Sequence, residues 1–173
     1  YNRRNKDVRL YELGNVYRPK ALPLTELPDE RMHFTLGMYG NGDFFDMKGV
    51  CEEFFEKVGM RDKIDYDPNS GKTYLHPANM IYDGKVVGYL GEVHPLVADT
   101  YGIGEKAYVA VIDILTVLEF ASFNHKYTGI AKYPAVTRDL SMVVPKTVLA
   151  GQIEHVLTQR GGKILERYQL FDI

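Results

Sequence analysis

The chain has 173 residues, 45% of them hydrophobic, with a formal net charge of -2: enough apolar mass for a core, which excludes a disordered segment. The near-neutral charge excludes a generally basic nucleic-acid binder, and no apolar run reaches the roughly 20 residues that cross a membrane. The charged start, Tyr1-Asn-Arg-Arg-Asn-Lys-Asp7, has no apolar signal-peptide core after it, so a soluble protein is expected.

Val8 to Tyr17 reads as a strand interrupted at Gly14, and Pro19, Pro23 and Pro28 then mark an extended loop. Met32, Phe34, Leu36 and Met38 alternate with His33, Thr35, Gly37 and Tyr39, the period of a half-buried strand. Met47, Val50, Cys51, Phe54, Phe55 and Val58 fall at helical spacing, with Asp43 or Asp46 as N-cap and Gly59 as stop. Such an apolar face packs on a sheet. Thr73 to Tyr82 and Lys85 to Val93 flank Asp83-Gly84, a dipeptide suited to the positive φ angles of a two-residue hairpin turn. Pro95 opens a short helix ending near Gly102, Lys106 to Ile114 is a further β-rich run, and Leu115 to Ala121 a short helix.

Ser122 to Gly129 is a polar connector, and a domain boundary is expected between Asn124 and Thr128, giving domains 1–126 and 127–173. Beyond it, Leu140, Met142 and Val144 alternate as a strand. Leu149, Ile153, Val156 and Leu157 line a helix stopped by Gly161-Gly162, and Lys163 to Leu170 begins a second strand. The fold class is therefore α+β: a mainly antiparallel sheet flanked by helices, then a partial ferredoxin-like β-α-β unit. A strand, a helix and part of a second strand cannot close a core, so the chain is expected to be a piece of something larger. No internal repeat or low-complexity tract stands out.

Charge is unevenly spread. From His125 onward there are seven Lys/Arg against four Asp/Glu, a balance of +3, which leaves -5 for the rest. A modestly basic C-terminal part beside an acidic body fits an RNA-facing domain on a neutral scaffold, although so small an excess also arises by chance.

The candidate chemical groups each have a structural reading. Cys51 has no partner for an internal disulfide and sits in an apolar helical pattern, which suits a reducing compartment and a core role rather than a nucleophile. His76-Pro77 and His94-Pro95 place imidazoles at strand ends and, with His33, raise a metal or acid/base centre, yet neither a Cys pair nor an HExxH helix accompanies them. Asp43, Asp46, Glu52 and Glu53 read as carboxylates that cap a helix start and complement its dipole. Neither GxxxxGK nor GxGxxG occurs, and Gly102-Ile-Gly104 reads as a turn, so a nucleotide pocket has no support. No catalytic, cofactor-binding or metal-ligating residue is assigned.

Three stretches carry a resemblance: Asp43-Phe-Phe-Asp-Met-Lys-Gly49, Gly88-Tyr-Leu-Gly-Glu-Val-His-Pro95 and Lys132-Tyr-Pro-Ala-Val-Thr-Arg-Asp-Leu-Ser-Met-Val-Val-Pro145. In order and kind they resemble signatures of the phenylalanyl-tRNA synthetase beta subunit family, the last being similar to the start of its anticodon-binding domain. The resemblance runs from Tyr11 to Ile173 and implies a catalytic-like module of the class II synthetase fold that has lost its chemistry, followed by a truncated ferredoxin-like anticodon-binding domain. It further implies a cytoplasmic complex with a catalytic alpha subunit, two copies of each, that joins phenylalanine to tRNA(Phe) using ATP and magnesium, none bound by this chain. Family members often carry Gly-Arg after the His-Pro matching His76-Pro77, whereas this chain runs into Ala78-Asn79, so no role of that Arg carries over, and residues are either shortened away or missing there. The family's editing module has no counterpart here.

Lys132, Tyr133 and Arg138 are the RNA-facing candidates, because bases stack on aromatics and Arg while Lys neutralises phosphate. The structural alternative is that Tyr133-Pro134 shapes a turn and Arg138-Asp139 ties a strand end, and for Tyr133 and Asp139 this alternative is favoured. Two other functions stay open: a stand-alone binder of structured RNA, and an enzyme built on His33, His76 and His94.

Overall fold

The computed structural model describes residues 5–60, 64–68, 74–124, 127, 129 and 132–171, with the side chains of 74–76 outside that description. The chain divides into two compact units, Tyr1–Asn124 and His125–Ile173.

The first unit is an antiparallel sheet with helices. Its strands are β1 (Val8–Arg18), β2 (Asp29–Tyr39), β3 (Asp65–Pro68), β4 (Tyr74–Tyr82), β5 (Lys85–Val93) and β6 (Ala107–Asp113), in the spatial order β1-β2-β6-β5-β4-β3. Helix α1 (Phe44–Lys57) links β2 to β3, α2 (Pro95–Thr100) links β5 to β6, and α3 (Ile114–Leu118) follows β6. α1 packs on β5 and β6, and α3 against β2, β5 and β6.

Local chemistry accounts for most of these elements. The Asp43 carboxylate accepts from the N–H groups of Phe45 and Asp46 at 2.8 and 2.9 Å, and Asp46 accepts from the Asp43 N–H at 2.9 Å. This reciprocal capping box satisfies amides that would otherwise lack partners at the start of α1. Asp83 (φ 48°) and Gly84 (φ 74°) form the β4–β5 turn, with Tyr82 facing Lys85. The core gathers Met47, Cys51 and Phe55 from α1 with Leu36, Met38, Met80, Val87, Leu90, Ala110 and Ile112 from the sheet and Val117 from α3. Each large side chain of this set contributes roughly 1.5–3 kcal/mol by leaving water.

Several sequence expectations need correction. β1 runs through Gly14, which pairs with His33, because an antiparallel ladder tolerates a missing side chain where its backbone bonds are kept. β3 escaped prediction, its four residues being too short and too polar for periodicity. Val50 is exposed rather than part of the buried face of α1. α3 starts at Ile114 and ends at Leu118, not 115–121, because the Asp113 carboxylate accepts from the Thr116 N–H at 3.1 Å and sets the helix start. His76-Pro77 lies within β4 and not at a strand end; the ladder to β5 shifts register between Leu75 and Ala78, where proline supplies no N–H.

In the second unit the expected helix is present as α4 (Ala150–Gly161), stopped at Gly162 (φ 50°). Gln152 Oε1 accepts from the Leu149 N–H at 3.0 Å, so Leu149 caps the helix instead of lining it. The two expected strands are not formed. Residues 139–145 are irregular, and Gly162–Ile164 is a 3₁₀ turn followed by irregular chain to 171. A strand exists by its ladder, and alternating residues make none without a neighbour to receive their hydrogen bonds. None of the described residues in this unit is buried.

Candidate functional site

The RNA-facing candidates all fall in the irregular stretch before α4. Tyr133 is 74% exposed, and Lys132 Nζ lies 5.7 Å from its ring centroid, a cation–π pair on the surface. Arg138 is exposed and donates from its guanidinium to the Thr137 carbonyl at 2.8 Å, leaving most of its donors outward. Exposed aromatic, lysine and arginine within seven residues of chain offer stacking and phosphate contacts, and no rigid element fixes their spacing. Arg160 and Lys163 add positive charge around the C-terminal end of α4.

The candidate histidines whose side chains are described, His33 and His94, each have a structural place. His33 is buried in β2 opposite Asp113 of β6. His94 is the N-cap of α2, where Nδ1 accepts from the Leu96 N–H at 3.3 Å. The His76 side chain lies outside the described residues. Among the described residues no three of His, Cys, Asp and Glu gather in a way that could hold a metal ion.

The carboxylates at α1 separate into two roles. Asp43 and Asp46 cap. Glu52 and Glu53 are not at the helix start but a turn or more further on, paired with Lys48 and Lys57 at i,i+4 spacing at 2.5 and 3.2 Å. Cys51 is buried, and desolvation pushes its thiol up to about 12, with Glu52 adding to the rise. Such a group stays protonated and is a poor nucleophile. The Tyr66 hydroxyl is likewise pushed up, by burial first and by Glu52 and Cys51 after it.

One polar constellation was not anticipated from the sequence. Arg31 of β2 donates to Asp113 Oδ2 from Nε at 3.0 Å and from Nη2 at 2.7 Å, and from Nη2 to the Thr116 hydroxyl at 3.1 Å. Burial pushes the Asp113 carboxyl up, but the hydrogen bonds from Arg31 and from the Thr116 N–H, with the Arg31 charge, outweigh it and hold the group below its ordinary value. The Arg31 guanidinium is raised, chiefly by its bond to Asp113. The cluster ties β2, β6 and α3 together. Arg31 and Asp113 are 82 residues apart, so the only trace in the sequence is an Asp directly before a helix.

Among the described residues, this geometry is that of a scaffold with exposed basic and aromatic groups. Comparison with known proteins assigns it to a class. A family model described as the phenylalanyl tRNA synthetase beta chain CLM domain matches residues 1–114, and one described as the ferredoxin-fold anticodon binding domain matches residues 131–173. The chain belongs to the phenylalanyl-tRNA synthetase beta chain family.

Among its relatives, the phenylalanine–tRNA ligase beta subunit of Clostridium acetobutylicum is 43% identical over 176 residues, covering 100% of this chain and 22% of the relative. That of Clostridium tetani is 38% identical with the same coverage, and that of Bacillus subtilis 34% identical, covering 99% of this chain and 23% of the relative. The chain thus spans about a fifth of the length of these curated relatives. In fold it is similar to pyrrolysyl-tRNA synthetase from Desulfitobacterium hafniense, with a TM-score of 0.55 at 14% identity over 66% of this chain and 41% of that one. Among the described residues no helix is long and apolar enough to cross a membrane.

Proposed function

We propose that this chain is the non-catalytic C-terminal portion of a phenylalanyl-tRNA synthetase beta subunit. Residues 1–126 form an inactive module of the class II synthetase type, and residues 127–173 the start of a ferredoxin-like anticodon-binding domain. Its work is to support assembly with the catalytic alpha subunit, in a complex of two alpha and two beta chains, and to help bind tRNA(Phe). The complex ligates phenylalanine to that tRNA in the cytoplasm with ATP and magnesium, the chemistry lying in the alpha subunit. Lys132, Tyr133 and Arg138 face the RNA.

The observation that carries this reading is the ordered match of two family models of translation enzymes across one chain. The spent roles of the titratable groups agree with it: Asp43, Asp46 and His94 cap helices, Cys51 is a protonated core thiol, and Asp113 holds Arg31. The test is to sediment this chain with the matching alpha subunit and to assay it alone for phenylalanine-dependent pyrophosphate exchange. A joint species and no exchange by the chain alone are expected. Exchange by the isolated chain would refute the non-catalytic role. Independent sedimentation, with steeply salt-sensitive RNA binding indifferent to tRNA identity, would favour a stand-alone RNA-binding module.

A further inference from the structure

The chain leaves α3 at residues 119–122, and this short segment is fastened at two places distant from it in sequence. At the β4–β5 hairpin, Lys85 Nζ donates to the Glu119 carboxylate at 2.5 Å and lies 5.6 Å from the centroid of the Phe120 ring. The Tyr82 ring meets Phe120 edge to face, with centroids 5.1 Å apart, and both rings pack against the core. At the end of α1, the Ser122 N–H donates to the Val58 carbonyl at 3.0 Å. The chain passes Gly59 so closely there that a side chain on it would meet the Ser122 carbonyl.

The same backbone closes α1. The N–H groups of Val58, Gly59 and Met60 donate to the carbonyls of Phe54, Glu56 and Phe55 at 3.1, 2.9 and 3.0 Å, so the last turn of the helix and the fastened segment share the Val58 peptide. The fastenings differ in strength. The side chains of Lys85 and Glu119 are both more than half exposed, which leaves their ion pair weak, whereas the packing of Phe120 against Tyr82 takes apolar surface out of water. Side-chain contacts and a backbone bond hold the segment, while continuous ladders join β2, β6 and β5. The segment can therefore open while the sheet stays whole.

We propose that residues 119–122 are a latch between the end of α1 and the β4–β5 hairpin, closed in this structure, that opens as one piece and releases the last turn of α1 when it does. Closed, the latch halts at Ser122 any displacement of the chain that follows, just before the first unit ends at Asn124. Open, it takes the donor away from the Val58 carbonyl and the packing away from Gly59, so the bonds at Gly59 and Met60 fray with it. Phe120 is the residue that both Tyr82 and Lys85 hold, and Glu119 sets the charge that Lys85 answers.

The test combines brief chymotrypsin digestion of the 173-residue chain with amide exchange. A protease needs several residues on each side of the cut drawn out, so a closed latch spares Phe120 and Phe123 while the exposed Tyr127 is cut first. Lys85→Glu sets like charge against Glu119 and withdraws the cation from Phe120. It is expected to speed cleavage at Phe120 and Phe123, and exchange at the Met60 and Ser122 amides, by one common factor of about three, with Leu90 and Ala110 unchanged. Adding Glu119→Lys restores the ion pair and slows both again. Tyr82→Ala, which removes the ring contact, raises the same rates up to about tenfold. Protection at Leu90 and Ala110 checks that each variant is folded, and the surface change Lys85→Glu keeps the test available where Tyr82→Ala loosens the hairpin. Cleavage of the unsubstituted chain at Phe120 as fast as at Tyr127 overturns the proposal. So do Met60 and Ser122 amides that respond by different factors, or rates indifferent to Lys85→Glu.

Discussion

At Gly59 the backbone turns with φ 80°, and a Cβ added there would sit 1.6 Å from the carbonyl oxygen of Ser122. The same segment is held by the Ser122 N–H donating to the Val58 carbonyl at 3.0 Å, so neither strand of chain can yield without breaking that bond. Gly59→Ala is expected to cost about 2–3 kcal/mol and to lower the thermal midpoint by about 5–10 °C, read by calorimetry. Asp113 makes a pH prediction. Its carboxyl is held below the ordinary value in the folded state, so the folded chain binds fewer protons there than the unfolded one. The stability it supplies is therefore complete above the unfolded value and is lost as pH falls through the folded one. Urea midpoints should drop on going from neutral to strongly acid solution, and Asp113→Asn, less stable at neutral pH, should lose less over that range. Cys51 is raised to about 12 and buried, so at pH 8 a thiol reagent should label it only after denaturant unfolds the sheet. Prompt labelling of the native chain would contradict its place in the core.

Among the elements, α1 and α4 answer to different masters. α1 carries a reciprocal cap at Asp43 and Asp46 and buries Met47, Cys51 and Phe55. Asp43→Ala should cost about 1 kcal/mol, measured by urea denaturation, because two helix amides lose their acceptor. α4 has a comparable apolar pattern but no buried residue. In water, helices of its length hold together mainly by packing, so amide exchange should be fast along 150–161 while Leu90, Ala110 and Ile112 stay protected. Equal protection in both units would mean that the second one has a core of its own. The contrast explains why the second unit's strands were misread: Leu140, Met142 and Val144 alternate well, but alternation reports a face awaiting burial, and the ladder must come from other residues.

For the molecule as a whole, the arrangement of the sheet positions everything else. Its order, β1-β2-β6-β5-β4-β3, brings β6 between β2 and β5 and so joins Arg31 to Asp113. Because Gly88 of β5 lies against β6, a Cβ there would come within 2.4 Å of the Val111 carbonyl oxygen. That closeness is a physical reason for glycine at the head of the Gly88–Pro95 stretch. The sequence alone determined what depends on near neighbours: the α1 cap, the Asp83-Gly84 hairpin, the half-buried β2 and the stop at Gly161-Gly162. These rest on hydrogen bonds and dihedral preferences within a few residues. Only the tertiary structure decided the sheet order, the Arg31–Asp113–Thr116 tie, the short β3 and which alternating runs become strands. Each of those depends on hydrogen-bonding and packing partners distant along the chain, and the residues of one partner carry no local mark of the other.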